Sequence, residues 1–186
     1  MATPTPNDRM LKALAAAYVE KPRATLKQLA DAAGTSTATL HRLCGTREAL
    51  VKMLESQGLS ALNQVIADAE LTKAEPLEAL RRMIVGHLAQ RELLLFMMFQ
   101  YRPDSNDPGN ECSRWASYTD ALDTFFLRGQ HEGLFRIDIS AQMLTELFSA
   151  MLYGVVDAER CGRAASATSA IVFEKFFLHG GSAQKV

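Results

Sequence analysis

The chain lacks an apolar run long enough to cross a membrane. Its longest, Leu93-Leu94-Leu95-Phe96-Met97-Met98-Phe99, is seven residues between Glu92 and Gln100, and a helical span needs about 20. Cysteine is scarce: Cys44, Cys112 and Cys161 are odd in number and far apart. That predicts free thiols in a reducing compartment and excludes a disulfide frame or a zinc knuckle. The opening residues, Met1 to Asp8, have neither a basic start nor an apolar stretch, so no signal peptide is expected. His41, His87, His131 and His179 fall on different segments without metal-ligand spacing. There is no glycine-rich phosphate loop, no Gly-x-Ser-x-Gly elbow and no His-Glu-x-x-His. Together these absences predict a cytoplasmic, non-membrane protein without metal, cofactor or catalytic machinery.

What is present is an ordinary globular composition. The 186 residues are 48% hydrophobic and 22% charged, which excludes a disordered chain and allows one domain or two that share a core. The formal charge is −1, so overall charge is silent about a polyanionic partner. Its distribution is not. Residues 1–50 hold seven Lys and Arg against four Asp and Glu, a surplus of three positive charges on an otherwise acidic chain. A mildly basic head suits contact with a polyanion at one end.

The hydrophobic pattern is helical almost throughout. From Asp8, read as a cap, Leu11, Leu14, Ala15 and Tyr18 fall on one face of a first helix that Pro22 stops. Thr25-Leu26-Lys27-Gln28 reads as a capping box opening a second, short helix, and Gly34 suits the turn after it. Ser36 can cap a third helix ending near Gly45, and Thr46 a long fourth one. Glu75-Pro76 opens a fifth, with a further helical stretch around 92–101. Residues 102–111 read as an exposed loop. Helices then span about 113–132, 139–160 and 165–178. No strand-like alternation appears, so the expected fold is all-α with about nine helices: a three-helix helix-turn-helix head over residues 1–48 and a helical bundle over 49–186.

The second and third helices, joined at Ala33-Gly34-Thr35, have the dimensions of a helix-turn-helix. The second of the two exposes Ser36, Thr37, Thr39, His41 and Arg42, all suited to phosphates and base edges. Leu40 and Leu43 are expected to point inward against Leu26 and Leu29. By spacing alone, a plain helical hairpin with a polar outer face accounts for the same residues.

A resemblance separates the two readings. Residues 10–50 resemble the N-terminal domain of the TetR family of transcriptional regulators. An alanine-rich first helix is followed by Thr25-Leu26-Lys27-Gln28-Leu29-Ala30-Asp31-Ala32-Ala33-Gly34-Thr35-Ser36-Thr37-Ala38-Thr39-Leu40-His41, then Gly45-Thr46-Arg47-Glu48-Ala49-Leu50. Gly133-Leu134-Phe135-Arg136-Ile137-Asp138 is similar to the segment before the family's penultimate helix. The chain departs from the family at His41, Leu43 and Cys44, where Tyr, then His or Tyr, then Phe are usual. The resemblance implies that Thr37, Thr39, His41 and Arg42 face the major groove, with Thr25 and Lys27 near the backbone. Arg47, in place of the family's lysine, would reach a phosphate, and Arg42 would be the candidate for a guanine contact. Cys44, at the end of this helix with little to acidify it, reads as structural.

For the rest of the chain the resemblance implies a homodimer and an effector pocket. Met143, Leu147, Met151 and Val155 form one face of the penultimate helix. Ile171, Val172, Phe173, Phe176, Phe177 and Leu178 are apolar all round the last. The expected dimer face is Met143, Leu147, Val155, Phe173, Phe176 and Phe177, packed as a four-helix interface by twofold symmetry. The alternative is that these faces close over the protomer's own core. Met83, His87, Phe96, Met98, Trp115, Tyr118 and Met151 mix apolar bulk with polar tips, as a pocket for an apolar or aromatic small molecule would; they also suit an ordinary core. The resulting expectation is a ligand-released repressor of a palindromic double-stranded DNA operator. The alternative is a helical-bundle carrier or enzyme whose head is only structural.

Overall fold

The computed structural model describes the backbone of residues 6–100 and 108–182 and the side chains of 8–100 and 115–182. Nine helices follow one another among the described residues: α1 (Pro6–Glu20), α2 (Leu26–Ala32), α3 (Thr37–Cys44), α4 (Arg47–Asp68), α5 (Pro76–Ala89), α6 (Arg91–Gln100), α7 (Pro108–His131), α8 (Ala141–Arg160) and α9 (Ser166–Gly181). The all-α expectation holds. The only extended pairing among the described residues is an isolated bridge between Phe135 and Ser182.

Most boundaries follow from side chains that satisfy the free amides of a helix start. Ser36 accepts from the Thr39 amide at 3.0 Å, Thr46 from Ala49 at 3.1 Å, and Ser140 from Met143 at 3.2 Å. Glu75 plays this part before Pro76, accepting from the Glu78 amide at 3.0 Å. Two boundaries differ from the sequence reading. Helix α1 begins at Pro6, so Asp8 lies within its first turn and does not cap it. Helix α7 begins at Pro108, a residue favoured at a first helical position, so the expected 102–111 loop gives up its last residues to the helix. Residues 101–107 of that loop lie outside the described residues.

The chain divides into two compact units: residues 1–61 with 90–101, and residues 62–89 with 102–186. The expected functional division after residue 48 falls in the first turn of α4, one continuous helix. In the first unit α1 packs along α6. Leu11, Leu14, Ala15 and Tyr18 are buried, as are Leu93–Met97. Helix α4 comes against α6 at Gly58, where a Cβ would lie 2.7 Å from the Met97 side chain. Glycine is what lets the two helices approach so closely.

The second unit is built around phenylalanine. Phe125, Phe126, Phe135, Phe148, Phe173 and Phe177 are all buried. Phe126 lies 5.1 Å from Phe135 and 5.7 Å from Phe177, ring centre to ring centre, and Phe148 lies 5.2 Å from Phe173. Most of these pairs are edge-to-face, an arrangement that adds to the large area each ring removes from water. The Gly133–Asp138 segment has a visible structural job here. It inserts Phe135 into the cluster while the Arg136 amide donates to the Gly181 carbonyl at 2.9 Å, tying down the end of α9. Arg136 also pairs with Asp138 at 2.6 Å, and Gln130 donates to the carbonyls of Arg136 and Ile139, both at 2.7 Å.

Candidate nucleic-acid interface

Helices α2 and α3 form the helix-turn-helix. The capping box is complete: the Gln28 amide donates to the Thr25 hydroxyl at 3.3 Å, and the Gln28 side chain accepts from the Thr25 amide at 2.8 Å. After Ala32 the chain reverses through Gly34 at φ +66, a left-handed conformation that costs a residue with a Cβ. The Thr35 amide then closes on the Ala30 carbonyl at 2.9 Å. Leu29, Ala30 and Leu40 are buried between the two helices. These local bonds fix α3 with one face inward and the other in water.

The outward face carries most of the expected residues. Ser36, His41 and Arg42 are exposed; Thr37 and Thr39 are half-buried. Ser36 and Thr39 share a hydroxyl–hydroxyl bond of 2.8 Å, so the start of α3 presents a preset pair of oxygens. His41 bonds through Nδ1 to the Gly45 carbonyl at 3.0 Å. A carbonyl only accepts, so Nδ1 carries the proton and Nε2 stays available at the surface. Thr25 and Lys27 are exposed at the start of α2. Burial raises the pKa of the Cys44 thiol, which donates to the Leu40 carbonyl at 3.1 Å. A protonated, internally bonded thiol agrees with a structural role.

Two residues are placed otherwise than the sequence suggests. Leu43 is not inward: it is 41% exposed while Leu40 is fully buried. Thr37, Leu40 and Cys44 make the inward stripe, and Leu43 lies to one side of it, toward Ser36 and Thr39. An apolar side chain on that face can pack on a thymine methyl, a contact the sequence reading did not assign. Arg47 is half-buried, and its guanidinium sits 4.7 Å from the centre of the Tyr18 ring while donating to the Pro22 carbonyl. It is engaged inside the head, where the resemblance implied a phosphate contact.

The expected pocket residues fall in both units. Phe96 and Met98 belong to α6 in the first, where Phe96 is buried with its ring centre 5.4 Å from that of Tyr18. Met83, His87, Trp115, Tyr118 and Met151 belong to the second. Met83, His87 and Tyr118 are buried, and Trp115 stands edge-on to Tyr118 at 5.5 Å. His87 is fully satisfied: Nδ1 donates to the Met83 carbonyl at 2.7 Å, and Nε2 accepts from the Tyr118 hydroxyl at 2.6 Å. Burial pushes the His87 pKa down to about 4 and raises that of Tyr118, so both are neutral. Met151 is half-buried, on the α8 stripe of Met143, Leu147 and Val155.

The expected dimer face divides. Phe176 is 72% exposed, Met143 and Leu147 are exposed, and Val155 is half-buried. Phe173 and Phe177 point the other way, into the phenylalanine cluster, with Phe173 stacked on Phe177 at 6.0 Å. Ile171 and Val172 are exposed beside Phe176.

No family model matches the chain. It is similar to the HTH-type transcriptional regulator NfxB of Pseudomonas aeruginosa, 61% identical over 176 residues that cover 95% of this chain and 94% of the relative. Among solved structures it is similar to the TetR-family regulator PfmR of Thermus thermophilus, with a TM-score of 0.71 and 22% identity over 99% of this chain and 100% of the other. It is also similar to the TetR-like regulator LfrR of Mycobacterium smegmatis, solved in complex with proflavine, at a TM-score of 0.71 and 19% identity over 94% of both chains. The ketosteroid transcriptional regulator KstR2 of Mycobacterium tuberculosis matches at a TM-score of 0.74 and 18% identity, covering 98% of each. The solved structures share the fold, and the curated relative shares the sequence from the helix-turn-helix to the last helix. The chain belongs to the helix-turn-helix transcriptional regulators of the TetR family.

Proposed function

We propose that the chain binds a palindromic operator as a homodimer, represses transcription from it, and leaves it when an apolar or aromatic small molecule occupies the second unit. The observation that carries this reading is the outward face of α3, where Ser36, Thr37, Thr39, His41, Arg42 and Leu43 stand on a helix fixed by its caps and by buried Leu40. Thr25 and Lys27 supply backbone contacts, and Arg42 takes the guanine-reading position. The exposed stripe of Met143, Leu147, Ile171, Val172 and Phe176 supports the dimer, with Val155 at its edge. A contiguous apolar surface of this kind calls for a partner. Two recognition helices related by a twofold axis would meet successive major grooves about 34–36 Å apart.

For the effector, Met83, His87, Trp115, Tyr118 and Met151 are the candidate residues of the second unit. LfrR in complex with proflavine is a precedent within this fold for a bound small molecule. A ligand releases DNA only by binding the DNA-incompetent state more tightly; taking the population from 1:99 to 99:1 needs about 5.5 kcal/mol of differential affinity. The 61% identical regulator favours this reading over a carrier or an enzyme with a structural head.

Selection from a random DNA pool, followed by sedimentation of the protein on the winning sequence, tests the proposal. The expected winner is a palindrome carrying two protomers. A winner without symmetry, bound by one protomer, would overturn the dimeric reading.

A further inference from the structure

We propose that Arg47 works from inside the head as a positioning residue, holding the Lys21-Pro22-Arg23 turn so that Lys21 and Arg23 grip DNA phosphates. The inference rests on the DNA-binding reading above and adds to it a phosphate-gripping edge that lies outside the helix-turn-helix itself.

The turn between α1 and α2 has its backbone almost fully assigned. The Lys21 amide donates to the Ala17 carbonyl at 3.0 Å, and the Lys21 carbonyl accepts from the Ala24 amide at 2.9 Å. The Pro22 carbonyl takes the Arg47 guanidinium. The same guanidinium lies over the Tyr18 ring, 4.7 Å from its centre. Tyr18 has no freedom to turn away, being buried edge-on to Phe96. One planar cation thus stacks on a fixed ring and bonds a carbonyl in the turn, a pair of tasks that suits the flat, forked guanidinium and not the point charge of lysine.

The staple falls between two cations. Lys21 and Arg23 flank the bonded Pro22 and are both exposed. Neither is bonded to a carboxylate among the described residues. With Pro22, Ala24 and Gln28 they line an open depression of about 410 Å³, one residue before the capping box of α2. Lys27, also exposed, lies in the first turn of that helix. A phosphate-sized anion at this edge would meet Lys21 and Arg23 with Lys27 nearby, while Arg47 stays on Tyr18. Phosphate contacts of this kind set the position of a protein on DNA without reading sequence.

The test uses the full chain on its selected operator, with affinity measured over a range of salt. Replacing both cations, Lys21→Gln with Arg23→Gln, should lower the slope of log affinity against log salt by about 1.8, at about 0.9 per phosphate released. Binding to operator and to random DNA should weaken alike. Arg47→Lys keeps the charge but not the stacked fork, and should weaken binding about tenfold with a reduced slope. Tyr18→Leu removes no charge and should do the same, with affinity restored by Tyr18→Phe, which keeps the ring. A merely structural loss would lower affinity and leave the slope alone. If Tyr18→Leu does not fold, Arg47→Lys and the paired glutamine substitutions decide the matter. Wild-type slope in the Lys21/Arg23 variant, or wild-type affinity in Arg47→Lys, overturns the proposal while the DNA-binding reading stands. A wild-type protein that enriches no sequence over random DNA overturns both.

Discussion

The two units solve different problems with different residues. In the first, polar side chains close helix ends: Thr25, Ser36 and Thr46 each satisfy a free amide, and the faces left over are polar and outward. In the second, phenylalanines fill the interior, a single polar pair (His87 with Tyr118) is buried among them, and large apolar side chains are left outside as well. A surface of hydroxyls and cations is suited to water until DNA replaces it. A surface carrying Phe176 and Val172 is suited to another protein chain. The contrast assigns DNA to one unit and association to the other before any ligand is considered.

The strongest test of that contrast is a cut into the phenylalanine cluster. Phe148→Ala should cost about 3–5 kcal/mol of stability, because four ring neighbours lose a partner and the site cannot fully collapse. Urea unfolding measures it. Phe176→Asp should leave the protomer folded and weaken the dimer by about 2–4 kcal/mol, the range of an interface hot spot. Sedimentation should then find monomers at concentrations where the wild type is dimeric. Unchanged association would place the dimer contact elsewhere.

The buried polar pair comes next. Tyr118→Phe leaves His87 Nε2 without its donor and should cost about 1–3 kcal/mol. The sign of the pH dependence follows from burial. The folded chain holds His87 near 4 against an ordinary 6.5, so between these values only the unfolded chain takes up the proton. Stability from this site is complete above about pH 6.5 and is lost as pH falls toward 4. His87→Leu should flatten that part of the profile. The smallest effect belongs to the head: Thr25→Ala removes one cap and should cost about 1 kcal/mol, read as a lower melting temperature.

How much of this was legible in the sequence follows the range of the interactions. Capping boxes, the Gly34 turn and the proline starts are local chemistry, and they emerged as read. Where a side chain points depends on neighbours distant in the chain. Leu43 and Leu40 are both leucines of an eight-residue helix, too short for its periodicity to say which of them faces inward. Arg47 is drawn inward by Tyr18 and Pro22, and no pattern around residue 47 announces either partner. In α9, Phe173 with Phe177 and Val172 with Phe176 form two apolar stripes at the same four-residue spacing. Spacing alone could not tell which stripe packs against Phe148 and which stays outside. The resemblance carried the family and the helix-turn-helix well, and it misled at Arg47, where this chain uses an arginine for internal stacking.

The central claim is that α3 reads bases through its outward face, with Arg42 foremost. Parallel selections from one random DNA pool, with wild type and Arg42→Ala, test it most directly. The account predicts a palindrome for the wild type and, for the variant, the same palindrome relaxed at one symmetry-related pair of positions. The variant's discrimination there should fall by about 1–3 kcal/mol. An identical motif bound with identical discrimination by both proteins would contradict it, and would remove Arg42 from the bases.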